Sequence, residues 1–449
     1  MGQLFGTDGV RGVANTELTP ELAVGLGRAV VRTLREEGVD RPRLVVGRDP
    51  RASGEMLEAA LVAGLCSAGG DVVPLGVLPT PGVAYLAAHL GTDGGAVISA
   101  SHNPVGDNGL KFFGGDGYKL TDAQEARIEE LLQRSDEARP TGAAIGRVRP
   151  IPEAVEPYLE HLTASADADL SGLRVVVDCA HGAASEVAPE VLRRLGVDVV
   201  AIHASPTGEN INDRCGSTHP QGVVDAVLEQ AADVGLAHDG DADRLIAVDH
   251  TGAIVDGDAI LAILAVRLRR TRGLDSVVTT VMTNLGFKQA MQRLGIRVVE
   301  TKVGDRYVLE AMRAGGHPIG GEQSGHLIFA DHATTGDGVL TAVKLLSAVA
   351  AEGRPLRELA RVMRRLPQVL VNVGDVDRGR LDGAQRLWQA VAEEQAALTG
   401  SGRVLVRASG TEPLVRIMVE ADSETRATEV AERLAALAAG ELGPIRTVS

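Results

Sequence analysis

Aromatic side chains are scarce in this chain of 449 residues: Phe 5, Tyr 4 and Trp 1 make up 2% of it. The 44% hydrophobic content therefore rests on small aliphatic side chains, in a globular composition with no mark of disorder. Cysteine is scarcer still. Cys66, Cys179 and Cys215 are an odd number without a C-x-x-C pair, so they form neither a disulfide framework nor a zinc motif. A reducing cytoplasm is the expected setting. Positive charge is in deficit, 45 Lys and Arg against 60 Asp and Glu, for a net −15. That balance speaks against a nucleic-acid partner, and admits an anionic small substrate only where Arg and Lys cluster locally. Long apolar runs are missing as well. "AILAILAV" (residues 259–266) is far too short to span a bilayer. The opening "MGQLFGTDGVRG" has no basic-then-apolar signal pattern, and Gly6 stands where myristoylation needs Ser or Thr. A soluble cytoplasmic protein with no membrane partner is expected.

What the chain has is alternation. "TPELAVGLGRAVVRTLREEG" reads as a helix capped by Thr19, with Pro20 in its first turn and Gly38 past its end. "RLVVGRD" follows as a strand, then a helix from about Ser53, then "DVVPLGV" and a helix capped by Thr80 with Pro81. Thr121 and Gln124 form a capping box. After a polar stretch at residues 135–152 the rhythm restarts with "LRVVVDCA", and again near Gly252 with "SVVTTVMT" and "IRVVETKV". Beyond "RRLPQ" (364–368) a strand, a helix, two strands round a loop and a last helix make a smaller α+β piece. The expected fold is α/β: three successive mixed-sheet domains of similar topology, then a smaller α+β C-terminal domain, round a central cleft. The expected boundaries are 1–153, 154–251, 252–367 and 368–449.

Four loops carry chemistry. In "ISASHNP" (98–104) an apolar run delivers Ser101 and His102 to a strand end, the ligand-binding edge of an open parallel sheet. A hydrolase nucleophile is a weak reading: neighbours on an extended segment point opposite ways, and no G-x-S-x-G elbow is present. A turn serine that caps its own backbone is the competing reading. "HDGDADR" sets Asp239, Asp241 and Asp243 at alternate positions, able to converge on one hard cation. An EF-hand is excluded, since Arg244 stands at its glycine position and His250 at its bidentate glutamate position. Three aspartates leave magnesium positions for water or a phosphoryl oxygen. "GGEQSGH" (320–326) combines Glu322, Ser324 and His326 with glycines, in a loop suited to vicinal sugar hydroxyls. "RASGTEPLVR" (407–416) offers Arg407, Ser409, Gly410, Thr411 and Arg416 as a phosphate cradle. A nucleophile, a cation site, a polyol reader and a phosphate cradle together describe phosphoryl transfer on a sugar phosphate. A metal-dependent sugar phosphatase and a non-catalytic sugar-phosphate sensor are the competing classes.

In this order, "ISASHNP", "DGDADR", "GGEQSGH" and "RASGTEP" resemble the α-D-phosphohexomutase superfamily over almost the whole chain. "FGTDGVRG" (5–12), "NDRCGSTHP" (212–220) and "TKVGDRYV" (301–308) resemble its branch acting on glucosamine phosphates. The resemblance implies interconversion of glucosamine 6-phosphate and glucosamine 1-phosphate through a 1,6-bisphosphate, feeding UDP-N-acetylglucosamine and cell-wall precursors. A phosphomannomutase or phosphoglucomutase of the same fold is the near alternative. It implies Ser101 as a phosphorylated carrier, with His102 a loop-structuring neighbour. One magnesium per chain would be held by Asp239, Asp241, Asp243 and a Ser101 phosphate oxygen. Lys111, Arg244, His326 and Arg11 would flank the transferred group. Gly321, Glu322, Ser324 and Lys302 would meet the sugar, and Arg407, Ser409, Gly410, Thr411 and Arg416 the other phosphate. Catalytic amounts of a hexose or hexosamine 1,6-bisphosphate would activate the enzyme, a hinge near Leu366–Pro367 would close the fourth domain, and a homodimer is the assembly left open.

Overall fold

The computed structural model describes residues 4–6, 9–134, 139–409 and 414–444. The chain forms two compact units: Met1–Met282 with Ile296–Val362, and Thr283–Gly295 with Met363–Ser449.

The first unit holds three sheets. The first comprises β1 (Val10–Val13), β2 (Arg43–Arg48), β3 (Asp71–Val77), β4 (Gly94–Ile98) and β5 (Asp107–Gly114), in the order β1-β5-β4-β2-β3. The second comprises β6 (Arg174–Asp178), β7 (Asp198–Ile202), β8 (Val234–Ala237), β9 (Ile246–Asp249) and β10 (Ile254–Val255), in the order β10-β9-β8-β6-β7. The third comprises β11 (Ser276–Thr280), β12 (Arg297–Thr301), β13 (Ile319–Gly321) and β14 (Leu327–Phe329), in the order β12-β11-β13-β14. Each has a parallel trio whose last strand turns back antiparallel: β4 into β5, β8 into β9, β13 into β14. The three mixed sheets thus share a four-stranded core of one topology, as the repeated rhythm implied, to which β1 and β10 add an edge strand in the first two. Val175, Val176 and Val177 of β6 are all fully buried, as strands covered on both faces require. Each contributes roughly 1.5–3 kcal/mol of transfer free energy.

Local signals acted as expected at two helix starts. Thr19 Oγ1 accepts the Leu22 N–H at the head of Pro20–Glu36, and Thr121 and Gln124 complete their capping box on Asp122–Leu132. At Thr80 the expectation fails. The helix Thr80–His89 begins at that residue with no side-chain cap, because the Thr80 hydroxyl donates to Asp241 Oδ2 at 2.7 Å. A tertiary carboxylate outcompetes the local amide.

The second unit is the smaller α+β piece. Its antiparallel sheet, β15 (Gln368–Gly374), β16 (Arg403–Ala408) and β17 (Leu414–Glu420), runs β15-β17-β16. The helices Gln385–Ala397 and Glu424–Leu442 cover it, closing a core that includes Leu387, Val415, Ile417, Val430 and Leu434. Asn284 binds this unit's own chain, accepting the Leu366 N–H and donating to the Leu366 carbonyl, each at 3.0 Å. Among the described residues no helix is long and apolar enough to cross a membrane.

Candidate active site

The first three chemical loops occupy one topological place. Residues 99–106 join β4 to β5, 238–245 join β8 to β9, and 322–326 join β13 to β14. Each is the turn where a parallel strand gives way to its antiparallel neighbour.

In the second sheet that turn brings Asp239, Asp241 and Asp243 together, with carboxylate oxygens within 4.8 Å of one another. All three are buried. Asp239 accepts the Ser101 hydroxyl at 2.6 Å and the Arg244 N–H at 3.3 Å. Asp241 Oδ2 accepts Lys111 Nζ at 2.8 Å besides the Thr80 hydroxyl. Asp243 has Arg244 Nε at 3.7 Å, His326 Nε2 at 3.9 Å and Lys111 Nζ at 4.0 Å. Burial and the charges of Asp243 and Asp241 push the Asp239 carboxyl far above the ordinary range. Burial and the Asp241 charge push Asp243 up as well. Burial also raises Asp241, but Lys111, Thr80 and Arg11 overcome it and hold that carboxyl well below the usual range. Desolvation weakens the Arg244 charge, and the surrounding aspartates more than restore it. The residues fit a hard divalent cation. Asp241 Oδ1 and Asp243 Oδ1 are buried with no hydrogen-bond donor, and oxygen lone pairs in a shared, mutually repelling cluster are what such an ion takes.

Ser101 lies just past β4, and its backbone departs from expectation. Its φ is 53°, in the left-handed region, not the extended geometry that sets neighbouring side chains apart. Ser101 and His102 therefore do not point opposite ways: Oγ lies 3.2 Å from His102 Nδ1. The Ser101 hydroxyl proton goes to Asp239, so that proton is not available to a base at His102. The turn presses so closely on the aspartate loop that a Cβ at Gly240 would stand 2.5 Å from the Ser101 carbonyl oxygen.

The third-sheet turn packs on the second. Leu245 N–H donates to Gly325 O at 3.1 Å, and Gly338 N–H to Ala242 O at 3.0 Å. Glu322 Oε1 accepts Gly304 N–H at 3.1 Å, and burial raises its carboxyl despite nearby His326. His326 Nε2 accepts the Gly336 N–H at 3.2 Å and has Asp305 at 3.7 Å. Ser324 Oγ is buried without a partner, Gly321 ends β13, and Lys302 is exposed beyond β12. Arg11 lies on β1, with its Cγ 3.1 Å from where a Gly109 Cβ would stand.

In the second unit, Arg407 and Arg416 face each other across β16 and β17. Burial and the Arg416 charge lower the Arg407 guanidinium. Ser409 is buried, and its carbonyl accepts Arg378 at 2.6 Å. Gly410 and Thr411 lie outside the described residues. Sequence reasoning missed Thr80, Asp305 and Arg378. Asp305 stood in plain view inside "TKVGDRYV"; nothing local marks the other two.

A second group satisfies the same distance test on the same sheet. Asp178, His203 and Cys215 have potential ligand atoms within 4.8 Å. Asp178 differs in that Oδ1 accepts Ala180 N–H at 2.9 Å and Oδ2 accepts Gly216 N–H at 3.0 Å, with His203 Nδ1 at 3.0 Å.

Three α/β sheets that each turn a polar loop out at the same strand pair, followed by a small α+β unit, define the phosphohexomutase class. Four phosphoglucomutase/phosphomannomutase domain families match in chain order: α/β/α domain I over residues 2–139, domain II over 156–252, domain III over 256–366 and the C-terminal domain over 370–437. The chain belongs to this family. It is 57% identical to a phosphoglucosamine mutase of Streptomyces coelicolor over 99% of this chain and 100% of that one. A phosphoglucomutase/phosphomannomutase family protein of Burkholderia thailandensis superposes with TM-score 0.83 at 26% identity, covering 99% of both chains. The N-acetylphosphoglucosamine mutase of Aspergillus fumigatus, solved with GlcNAc-6P and magnesium, shares the fold at TM-score 0.69 and 19% identity, over 98% of this chain and 96% of that one.

Proposed function

We propose that this protein is an isomerase that interconverts glucosamine 6-phosphate and glucosamine 1-phosphate through a phosphorylated Ser101 and a bound 1,6-bisphosphate. One observation carries the reading: Ser101 Oγ donates to Asp239 at 2.6 Å, inside a carboxylate cluster with two donor-less buried oxygens. Asp239, Asp241 and Asp243 would hold one magnesium ion, which would supply positive charge to offset the negative charge gathering on the transferred phosphoryl oxygens.

The remaining chemistry belongs to the chain. The P–Oγ bond of phosphorylated Ser101 breaks as a sugar hydroxyl bonds to phosphorus. The hydroxyl's proton ends on Ser101 Oγ, whose hydrogen bond to Asp239 is the dephosphorylated arrangement described above. The bisphosphate then turns round, and its other phosphoryl group passes to Oγ by the same exchange in reverse. Lys111, tied to Asp241, and Arg244, backed by Asp243, fix positive charge beside the cluster. Arg11 extends that wall, and His326 flanks the transferred group. Glu322, Ser324, Gly321 and Lys302 read the sugar. Arg407, Ser409, Gly410, Thr411 and Arg416 take the phosphate that is not transferred. Water must be excluded while the intermediate turns, or transfer becomes hydrolysis. A hexose or hexosamine 1,6-bisphosphate primes the serine, and the working domains are 1–153, 154–251, 252–367 and 368–449.

Purified protein assayed on hexosamine and hexose 6-phosphates tests the reading. Magnesium-dependent conversion, fastest on glucosamine 6-phosphate and stopped by chelator, is expected. Full turnover in excess chelator, or release of inorganic phosphate as the main product, would refute it.

A further inference from the structure

The left-handed backbone at Ser101 is an uncommon and costly conformation for a residue with a Cβ, so contacts from outside the turn must hold it. Arg51 is fully buried and all five of its N–H groups are spent. Nε donates to Asp49 at 2.9 Å. One terminal nitrogen donates to the carbonyls of Ser101 and Asn103, each at 2.9 Å. The other donates to the Asp107 carbonyl at 3.0 Å and to that of Pro104. No donor is left for a phosphate, so this arginine serves the backbone that carries the serine. Asp49 closes the ring by accepting the Ser99 hydroxyl at 2.7 Å, and Ser99 Oγ accepts the Ser101 N–H at 2.9 Å. Both sides of the Ser101 residue are thereby fixed from the first sheet.

The second sheet grips the same atoms. Asn212, itself left-handed at φ 58°, donates its side-chain amide to the Ser101 carbonyl at 2.9 Å and to the Asn103 carbonyl at 3.2 Å. Its backbone N–H is anchored on Ala180 O at 2.9 Å. A Cβ at Gly240, between two of the aspartates, would stand 2.9 Å from that amide nitrogen. The serine turn is thus clamped by Arg51 from its own sheet and by Asn212 from the sheet that carries the aspartates.

We propose that Arg51 and Asn212 are positioning residues that register the Ser101 hydroxyl against the Asp239 loop across two domains. This rests on the reading of Ser101 as the phosphoryl carrier. Without the clamp the turn relaxes towards extended geometry and takes Oγ out of line with the aspartates. Substrate binding, made elsewhere, is left alone. In-line transfer tolerates little of this, since a displacement of about 1 Å costs on the order of a hundredfold in rate.

The test compares Asn212→Ala, Asn212→Gln and Arg51→Lys with Ser101→Ala, each assayed at a temperature where it is fully folded. Asn212→Ala should lose about tenfold to a hundredfold in kcat, with KM for glucosamine 6-phosphate within about twofold, since the lost interaction acts only on the transfer step. Its melting temperature should stay within about 4 °C of the parent's. Asn212→Gln, which keeps a donor, should recover part of kcat. Should Arg51→Lys fail to fold, the Asn212 pair decides. An Asn212→Ala enzyme with parental kcat, or with its loss confined to KM, overturns the clamp. So does a Gln variant no better than Ala. Residual mutase turnover in Ser101→Ala would instead refute the carrier reading, whatever Asn212 does.

Discussion

The second sheet carries two three-residue groups of potential metal ligands, and in only one of them are there carboxylate oxygens that nothing donates to. Asp178, His203 and Cys215 meet the same 4.8 Å criterion as Asp239, Asp241 and Asp243. Asp178, however, has given one oxygen to the Ala180 N–H and the other to the Gly216 N–H. Burial drives the Cys215 thiol up to about 12, away from the thiolate that binds metals. Asp241 and Asp243 each keep a buried oxygen that nothing donates to. Proximity of ligand-type residues is therefore a poor guide to a metal centre, and unsatisfied acceptors are a better one. One group is a backbone brace and the other is chemically unfinished.

The largest effect that sharpens this contrast is on turnover. Asp241→Asn should lower kcat on the order of a thousandfold or more, and abolish the calorimetric signal for magnesium, while the fold survives. Asp178→Asn should leave kcat within about threefold, since its carboxylate holds no cation. Equal losses in the two variants would erase the distinction.

The next effect lies in the third sheet, where the equivalent turn carries Glu322. On the proposed reading the bisphosphate binds in two orientations, so Glu322 as the sugar-binding residue would grip only hydroxyls that coincide in both. Moving O4, as in galactosamine 6-phosphate, leaves the buried carboxylate underpaired at about 1–3 kcal/mol, roughly tenfold to over a hundredfold in kcat/KM. Glu322→Gln should shrink that discrimination together with the rate. Equal kcat/KM for the two epimers in the parent enzyme would remove Glu322 from the sugar site.

How far the sequence disclosed all this differs loop by loop. The aspartates were legible because their flanks, "VGLA" and "IAVD", are strands and their spacing converges unaided. That the serine, aspartate and glutamate turns occupy one topological place was not legible, since strand order is not written in local pattern. Nor was Thr80, whose position before Pro81 reads as a cap until a carboxylate distant in sequence claims its hydroxyl. The left-handed Ser101 escaped for the same reason: Arg51 and Asn212, which hold it, lie 50 and 111 residues away. Strand and helix follow local periodicity; the strained turn follows contacts that only the fold creates.

Smaller effects test the brace. Asp178→Asn should cost roughly 1–3 kcal/mol in unfolding free energy, because an amide NH₂ would face a backbone N–H where an acceptor stood. Urea denaturation reads it, and no loss would mean that Asp178 braces nothing. Smallest of all, Cys215 should resist iodoacetamide in the native protein at mildly alkaline pH, with and without added zinc, as a buried, protonated thiol does. Mass mapping that finds fast alkylation, blocked by zinc, would make the second group a soft-metal site after all.

The central claim is that Ser101 carries the phosphoryl group over the aspartate cluster. Peptide mapping by mass spectrometry after incubation with glucose 1,6-bisphosphate and magnesium tests it most directly. The account predicts one phosphoryl group, on Ser101, absent when Asp241→Asn protein is treated in the same way and discharged by glucosamine 6-phosphate. Phosphate found only on another residue, or an unmodified Ser101 in an enzyme that turns over at full rate, would contradict it.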